Sequence, residues 1–464
     1  MDTFRASIQG LERVDELRKK RGWSKTEDAW WGLANTSKAT LKRFWRRIPI
    51  QEAAFSNICK AVGLDNWEEI VDRSLIQHSA KINSYLDDED GWVGRSQLLT
   101  QLSAKLQGAC RILILTGITG IGKTALAQRL AMQLQGDFPQ LFRVNFDNQE
   151  NTDFINVADQ LLTGWGETVT PENRKEPQQL LLWVVSQLRQ NRYLLVIDSL
   201  ELILEGDAET GWSNFKDRWW ENFFQSLLST NSCQSRIILT SQDLPGQLEV
   251  VGLRYPTFWY CQSLRGFTQG EQLEFFHKTG LDVSTESPAK TYLERIGAAY
   301  EGHPLALRAI AGEILNHPFQ GNVVAYWKKY GHEIEEVEQI KQQPEIESAA
   351  DSLKLDRYNR NLQRAVKQQI EKTFDRLAKD VPHAYLLLSF SSVYRRAVPE
   401  SFYLKTLARF GLDGERQEIA LDALRDRYLL EEEVINDDLL LRQHNLIRTV
   451  ALSHLKNWKT KGQL

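Results

Sequence analysis

The sequence of 464 residues predicts a multidomain chain, α at both ends and α/β in the middle, with a parallel sheet at its centre. Two patterns carry this reading. Between Trp92 and about Thr279, short β-branched or Leu-rich runs at 111–116, 141–146, 193–197, 236–240 and 259–264 alternate with helical stretches. None of the runs alternates strictly between apolar and polar, so each reads as a strand buried on both faces, with helices as crossovers. After Pro288 the period becomes helical over 289–299, 305–315, 323–330 and 362–377, and then 429–435 and 439–443 flank Asn436-Asp437-Asp438 as a short hairpin. Length suggests about three domains at roughly 150 residues each. The patterning divides the chain more finely, into a helical segment 1–74, an acidic linker 75–91, an α/β core 92–280, a helical segment 281–360 and a last segment 361–464.

In the first segment, Ser24 stands as an N-cap, and Thr36-Ser37 caps a basic helix over 37–47. Pro49-Ile50-Gln51 opens a further helix over 53–62, closed by Gly63, and Asn66-Trp67-Glu68-Glu69-Ile70 begins another. The order is similar to a repressor-type helix-turn-helix with residues 37–47 in the recognition position. Lys38, Lys42, Arg43, Arg46 and Arg47 supply positive charge there, which suits phosphate contact in a DNA groove. The same charges suit the solvated face of a protein-interaction domain whose core takes Leu41, Phe44 and a half-buried Trp45. Asp15, Glu16, Glu27, Asp28, Glu68, Glu69 and Asp72 dilute the basic character, so DNA and an unidentified protein both remain as partners.

The strongest motif is Gly117-Ile118-Thr119-Gly120-Ile121-Gly122-Lys123-Thr124, which fits G-x-x-x-x-G-K-[ST] between a strand run and a helical pattern. Glycines let backbone N–H groups approach phosphates, and a helix N-terminus adds partial positive charge. Lys123 is expected on the β/γ-phosphates, with the Thr124 hydroxyl as a ligand of Mg²⁺. A second acidic site is expected at the end of a neighbouring parallel strand, and Asp198 closes the run 193–197 as a carboxylate for the same ion. Glu201 reads either as the group that orients a hydrolytic water or as a solvated carboxylate in a first helical turn.

Taken in order, these motifs resemble the NB-ARC group of STAND P-loop NTPases over roughly residues 92–455. Trp92-Val93-Gly94-Arg95 looks like the family's segment before the P-loop, 235–242 like its sensor strand, and Gly302-His303-Pro304-Leu305-Ala306-Leu307 like its GLPL motif. Gln443-His444-Asn445-Leu446-Ile447-Arg448 looks like its MHD motif. The resemblance implies a P-loop core, a helical lid over 281–360 and a winged helix over 361–464. It implies ADP or ATP held by Val93, Arg95, Gly117, Gly120, Ile121, Gly122, Lys123, Thr124, Ala125, Pro304 and His444. It also implies closure around ADP, self-assembly on exchange for ATP, and slow hydrolysis through Lys123, Asp198 and Glu201. From the residues alone, Pro304 also reads as a helix start and His444 with Asn445 as an N-cap pair. The sequence departs from the family at Ser199 and Asn445, where the family has Asp, and at Gln242, where it has Arg. It ends at Lys459-Thr460-Lys461-Gly462-Gln463-Leu464, without the repeat sensor that usually follows. A transcription regulator controlled by the nucleotide and an ATPase with steady turnover are the rival readings.

The remaining composition narrows the classes. Lys and Arg total 57 against 61 Asp and Glu, a net charge of −4, so any nucleic-acid site must be a local patch. Cys59, Cys110, Cys233 and Cys261 share no metal-type spacing and read as reduced thiols. No apolar run is long enough to span a bilayer and the N-terminus lacks a signal-peptide core, so a cytoplasmic chain with no membrane contact is expected.

Overall fold

The computed structural model describes residues 3–25, 27–36, 38–45, 50–71, 92–148, 152–207, 211–342, 354–435 and 438–460. The linker 75–91, the cap Ser37, the hairpin residues Asn436 and Asp437, and Arg46 and Arg47 lie outside them. The chain forms two units, one of Met1–Asp87, Leu315–Pro318 and Ile370–Leu464, the other of Asp88–Ile314 and Phe319–Gln369.

The second unit is built on a five-stranded parallel sheet. Its strands are β1 (Ile112–Thr116), β2 (Gln140–Asn145), β3 (Tyr193–Asp198), β4 (Arg236–Ser241) and β5 (Trp259–Ser263), in the order β2-β3-β4-β1-β5. Every expected run is a strand, with ends moved by a residue or so. β1 and β3 are buried along their whole length, which is why their sequences do not alternate. Arg111, expected in β1, stands just before it. Its guanidinium donates to the carbonyls of Leu227 (3.0 Å) and Thr230 (2.6 Å) and lies 3.7 Å from the Phe258 ring centroid. It thus satisfies carbonyls left over at the end of the helix Arg218–Ser229. That helix contributes Trp220, Phe223 and Phe224 to a core shared with Phe146 and Phe154. An antiparallel pair, Leu204–Asp207 with Gly211–Phe215, was not expected. Beyond β5 come the helices Gln269–Thr279, Pro288–Ala299, Pro304–Leu315 and Val323–Gln342. The last outruns its expected end because the apolar period fades before the backbone hydrogen bonding does.

The first unit opens with the helices Ile8–Lys20, Asp28–Leu33, Lys38–Trp45 and Glu52–Ala61 and a 3₁₀ turn, Trp67–Ile70. Leu41, Phe44, Trp30, Phe55 and Ile58 form their core, and Trp45 is half-buried, as expected. Ser24 is not an N-cap: that place falls to Glu27, whose carboxylate accepts from the Ser24 N–H (3.1 Å) and hydroxyl (2.7 Å). Ile50–Gln51, expected to open a helix, pairs antiparallel with Thr3–Phe4. Towards the C-terminus, Glu431–Ile435 and Asp438–Arg442 form the expected antiparallel pair, with Val398–Pro399 added beside it.

One charge cluster joins the basic helix to this C-terminal part of the same unit. Arg43 lies 3.3 Å from Glu400, and the Thr40 hydroxyl donates to Asp422 at 3.1 Å. Arg425, with its side chain 6% exposed, meets Glu400 (2.6 Å), Glu432 (2.7 Å) and Asp422 (3.3 Å). Burial alone would raise the Glu400 carboxyl, but Arg425 and Arg43 hold it below its ordinary value of 4.5. A carboxylate depressed on folding stabilises the fold above its ordinary pKa and loses that contribution as pH falls through the folded value. Arg425→Met is therefore expected to cost about 3–5 kcal/mol at neutral pH, because it strands buried carboxylates. Urea denaturation of the full chain should also show a steeper loss of stability below about pH 4.5 in wild type than in the variant. Equal midpoints at neutral pH would show that the cluster contributes nothing.

Candidate functional site

The glycine motif forms the turn between β1 and the helix Lys123–Gln133. Gly120 and Gly122 have φ of 84° and 95°, a region that side-chain-bearing residues rarely enter. Gly120 also lacks room for a side chain, whereas at Gly122 the conformation alone calls for glycine. A Cβ on Gly120 would lie 2.8 Å from Leu305 and 2.9 Å from His303, and one on Gly122 would lie 2.9 Å from the Arg95 guanidinium. Gly122 is the N-cap and offers no side chain to the first helical turn, which contains Lys123, Thr124 and Ala125. The turn's N–H groups therefore face the loop as an anion seat. Ile121 is buried and anchors the loop.

Lys123 is buried, and its ammonium donates back to the carbonyls of Gly117 (2.8 Å) and Ile118 (3.2 Å). Burial pulls its pKa down, against the opposing charges of Glu201, Asp198, Asp147 and Asp243. Thr124 donates its hydroxyl to Asp198 Oδ1 at 2.9 Å. The expected adjacency of the two strands is corrected: β4 lies between β1 and β3. Thr240 of β4 fills that interval, donating to the same Asp198 oxygen and accepting from the Ser199 N–H at 3.0 Å.

Glu201 is not solvated. It sits on the 3₁₀ turn Leu200–Ile203, 8% exposed, and accepts from the Gln242 side-chain amide (3.0 Å) and backbone N–H (3.3 Å). Burial raises its pKa, opposed by Lys123 and the Gln242 hydrogen bond. Ser199, at φ 64°, donates its hydroxyl to Asp147 Oδ2 at 2.5 Å.

Two segments brace the loop. The Arg95 backbone N–H donates to Glu271 Oε1 at 2.5 Å, and its guanidinium donates to the carbonyls of Ile121 (2.7 Å) and Arg265 (3.0 Å). Burial lowers the Arg95 pKa to about 10 against the pull of Glu271. Val93 lies half-buried just before it. On the other side, Pro304 begins the helix Pro304–Leu315, and the fully buried His303 precedes it. His303 Nδ1 accepts from Ala306 N (3.4 Å), which leaves Nε2 as the protonated nitrogen, 3.1 Å from the Thr119 carbonyl. His444 belongs to the other unit. There its Nδ1 accepts from Leu446 N at 3.2 Å, at the start of the helix Asn445–Thr460.

Lys123, Thr124, Asp198 and Glu201 thus converge. Asp147, Thr240, Glu271 and His303 join them unforeseen; of these, His303, inside the quoted Gly-His-Pro, and Thr240, inside the sensor-like strand 235–242, carried a sequence signal. The donor set fits a polyphosphate with a divalent cation: an ammonium, an open helix N-terminus, and a hydroxyl and carboxylate 2.9 Å apart. Among the described residues no cluster of three His, Cys, Asp or Glu suits a metal, so the cation would rest on Thr124, Asp198 and the phosphates themselves. Likewise no described helix is long and apolar enough to cross a membrane.

A glycine loop between a buried parallel strand and a helix, with a carboxylate closing a strand of the same sheet, is the arrangement of a P-loop nucleotide-binding domain. Residues 106–243 match the family described as an AAA domain. The chain is 28% identical over 366 residues to an uncharacterized WD repeat-containing protein of Nostoc sp.; the match covers 69% of the chain and 28% of that relative's length. Among solved structures it is similar to Cdc6p from Pyrobaculum aerophilum, with 12% identity, TM-score 0.34, 82% of this chain and 99% of that one. The replication initiator DnaA bound to AMPPCP and single-stranded DNA gives 14% identity and TM-score 0.34, over 81% of this chain and 97% of that one.

Lys123→Ala removes a charged donor facing the phosphate seat. A hydrogen bond to a charged group is worth roughly 1.5–3 kcal/mol, so ATP and ADP affinity should fall about 10- to 150-fold by calorimetry. Unchanged affinity with an intact fold would remove the loop from nucleotide binding.

Proposed function

We propose that the chain is an ADP/ATP-binding signal-transduction switch of the NB-ARC kind. It closes around ADP and opens or assembles on exchange for ATP, with the N-terminal helices as an adaptor or effector module. One observation carries this reading: the His303–Thr119 hydrogen bond, with Gly120 packed against His303 and Leu305. Any shift of the loop as its phosphate load changes must move the lid helix or break that bond. A ligand moves such an equilibrium only through different affinities for its two states. A Mg²⁺ ion held at Thr124 and Asp198 would neutralise charge on the phosphates; Lys123 would meet the β/γ oxygens and Val93 and Pro304 the base. The capture of both Glu201 oxygens by Gln242 favours slow turnover over the steady ATPase reading. Thr40 and Arg43 engage Asp422 and Glu400, which favours the adaptor reading of the basic helix over DNA. A gel shift with the full chain at low salt tests the DNA alternative directly.

His303→Ala should leave nucleotide binding within about 10-fold, since one neutral hydrogen bond contributes roughly 0.5–1.5 kcal/mol. It should abolish the difference between ADP- and ATP-loaded protein in size-exclusion chromatography. Identical elution of the two wild-type forms would overturn the switch. The part that the resemblance gives His444 is tested separately: His444→Ala should speed the release of fluorescent ADP in stopped flow.

A further inference from the structure

The hydrolytic carboxylate is the open question in the site. Ser199, next to Asp198, has no charge. Glu201, two residues further on, is buried with both oxygens accepting from Gln242. A carboxylate sealed in this way and already holding an amide is poorly placed to reach a water.

The backbone at Ser199 is unusual for a non-glycine residue, with φ 64° and ψ 49°. Backbone conformations of this kind persist where surrounding contacts over-determine them, and they cluster at functional sites. Here three hydrogen bonds hold it: the Ser199 N–H to Thr240 Oγ1 at 3.0 Å, the Ser199 hydroxyl to Asp147 Oδ2 at 2.5 Å, and the Leu202 N–H to the Ser199 carbonyl at 3.1 Å. Asp147 occupies the turn Phe146–Asn148 at the end of β2, with its N–H held by Asn145 Oδ1 at 2.9 Å. In the β2–β3 register Asn145 stands opposite Asp198, so Asp147 lies just beyond the end of the sheet, beside the metal-site carboxylate. It is half-buried rather than sealed, and its charge acts on both Lys123 and Glu201.

We propose that Asp147, aimed by Ser199, is the carboxylate that orients and deprotonates the attacking water in ATP hydrolysis. This rests on the ATPase reading above. The water oxygen bonds to the γ-phosphorus while the bond from that phosphorus to the β,γ-bridging oxygen breaks, its electron pair leaving with ADP. The water proton passes to Asp147 and from there to the released phosphate. Ser199 is a positioning residue, whose hydroxyl takes the place of a second acid by directing one from the neighbouring strand.

The test is single-turnover ATP hydrolysis by the full chain, with Mg·ATP affinity and thermal melting measured on every variant. Asp147→Asn should keep affinity within about 3-fold and lose at least about 10²-fold in rate, the span of a general base. Glu201→Gln should lose less than about 10-fold. Asp147→Glu, which restores the charge, should recover a measurable part of the rate and also serves if Asp147→Asn does not fold. Ser199→Ala should lose about 10-fold in rate on its own, the worth of one hydrogen bond, and nothing further in the Asp147→Asn background, because Ser199 acts through Asp147. A wild-type rate in Asp147→Asn, or a further loss when Ser199→Ala is added to it, overturns the proposal. So does wild-type protein that binds ATP without hydrolysing it, in which case nucleotide binding stands. Failure of wild type to bind ATP at all would remove the ATPase reading itself.

Discussion

One oxygen, Asp198 Oδ1, holds the site together. It accepts the Thr124 hydroxyl from the helix after the glycine loop and the Thr240 hydroxyl from β4. Three elements meet at that atom: the phosphate-loop helix, the strand that carries the acid, and the strand that separates them. A buried carboxylate is costly unless it is hydrogen-bonded or paired, and here hydroxyl donors meet that need. Both donors can rotate, so the same carboxylate can turn its lone pairs to a cation without rebuilding the sheet. Thr240 passes the constraint on: by accepting from Ser199 N it holds the backbone in the geometry that points Ser199 at Asp147.

Most of the second unit was legible in the sequence, and the reasons are specific. Strands buried on both faces write themselves as unbroken apolar runs, so β1 and β3 stood out. The glycine motif declares a backbone geometry that few other folds require. What was not legible is what depends on strand order. Nothing in residues 193–198 says that β4 stands between β3 and β1, so Thr240 was read only as part of a sensor-like strand and not as a partner of Asp198. Glu201 was open to two readings, a group that orients a water or a solvated first-turn carboxylate; its burial follows from the place of Gln242 across the sheet end, 41 residues on. Asp147 carried no motif, since its role depends on β2 lying against β3.

The basic N-terminal helix shows the same limit from another side. Counting charges along the chain finds Lys and Arg together and suggests a polyanion as partner. In the fold, Arg43 faces Glu400, and Arg425 shares that carboxylate while also meeting Asp422 and Glu432. The acids that answer the basic helix are more than 350 residues away in sequence. Arg425 is sealed while its carboxylates keep some exposure, and ion pairs of this kind contribute less when intact than they cost when one partner is removed.

Ser199 and Gln242, both neutral, make physical sense as a pair. Neither adds a charge beside Lys123 and Glu201, and each makes the hydrogen bond that a neutral side chain can offer. Gln242 donates to Glu201, and Ser199 donates to Asp147. The negative charge around Lys123 is then carried by Asp147, Asp198, Glu201 and Asp243, drawn from three different strand ends. A site assembled in that way keeps its electrostatics only while β2, β3 and β4 keep their register. The chemistry at the phosphate seat is therefore tied to the packing of the whole sheet and not to the glycine loop alone.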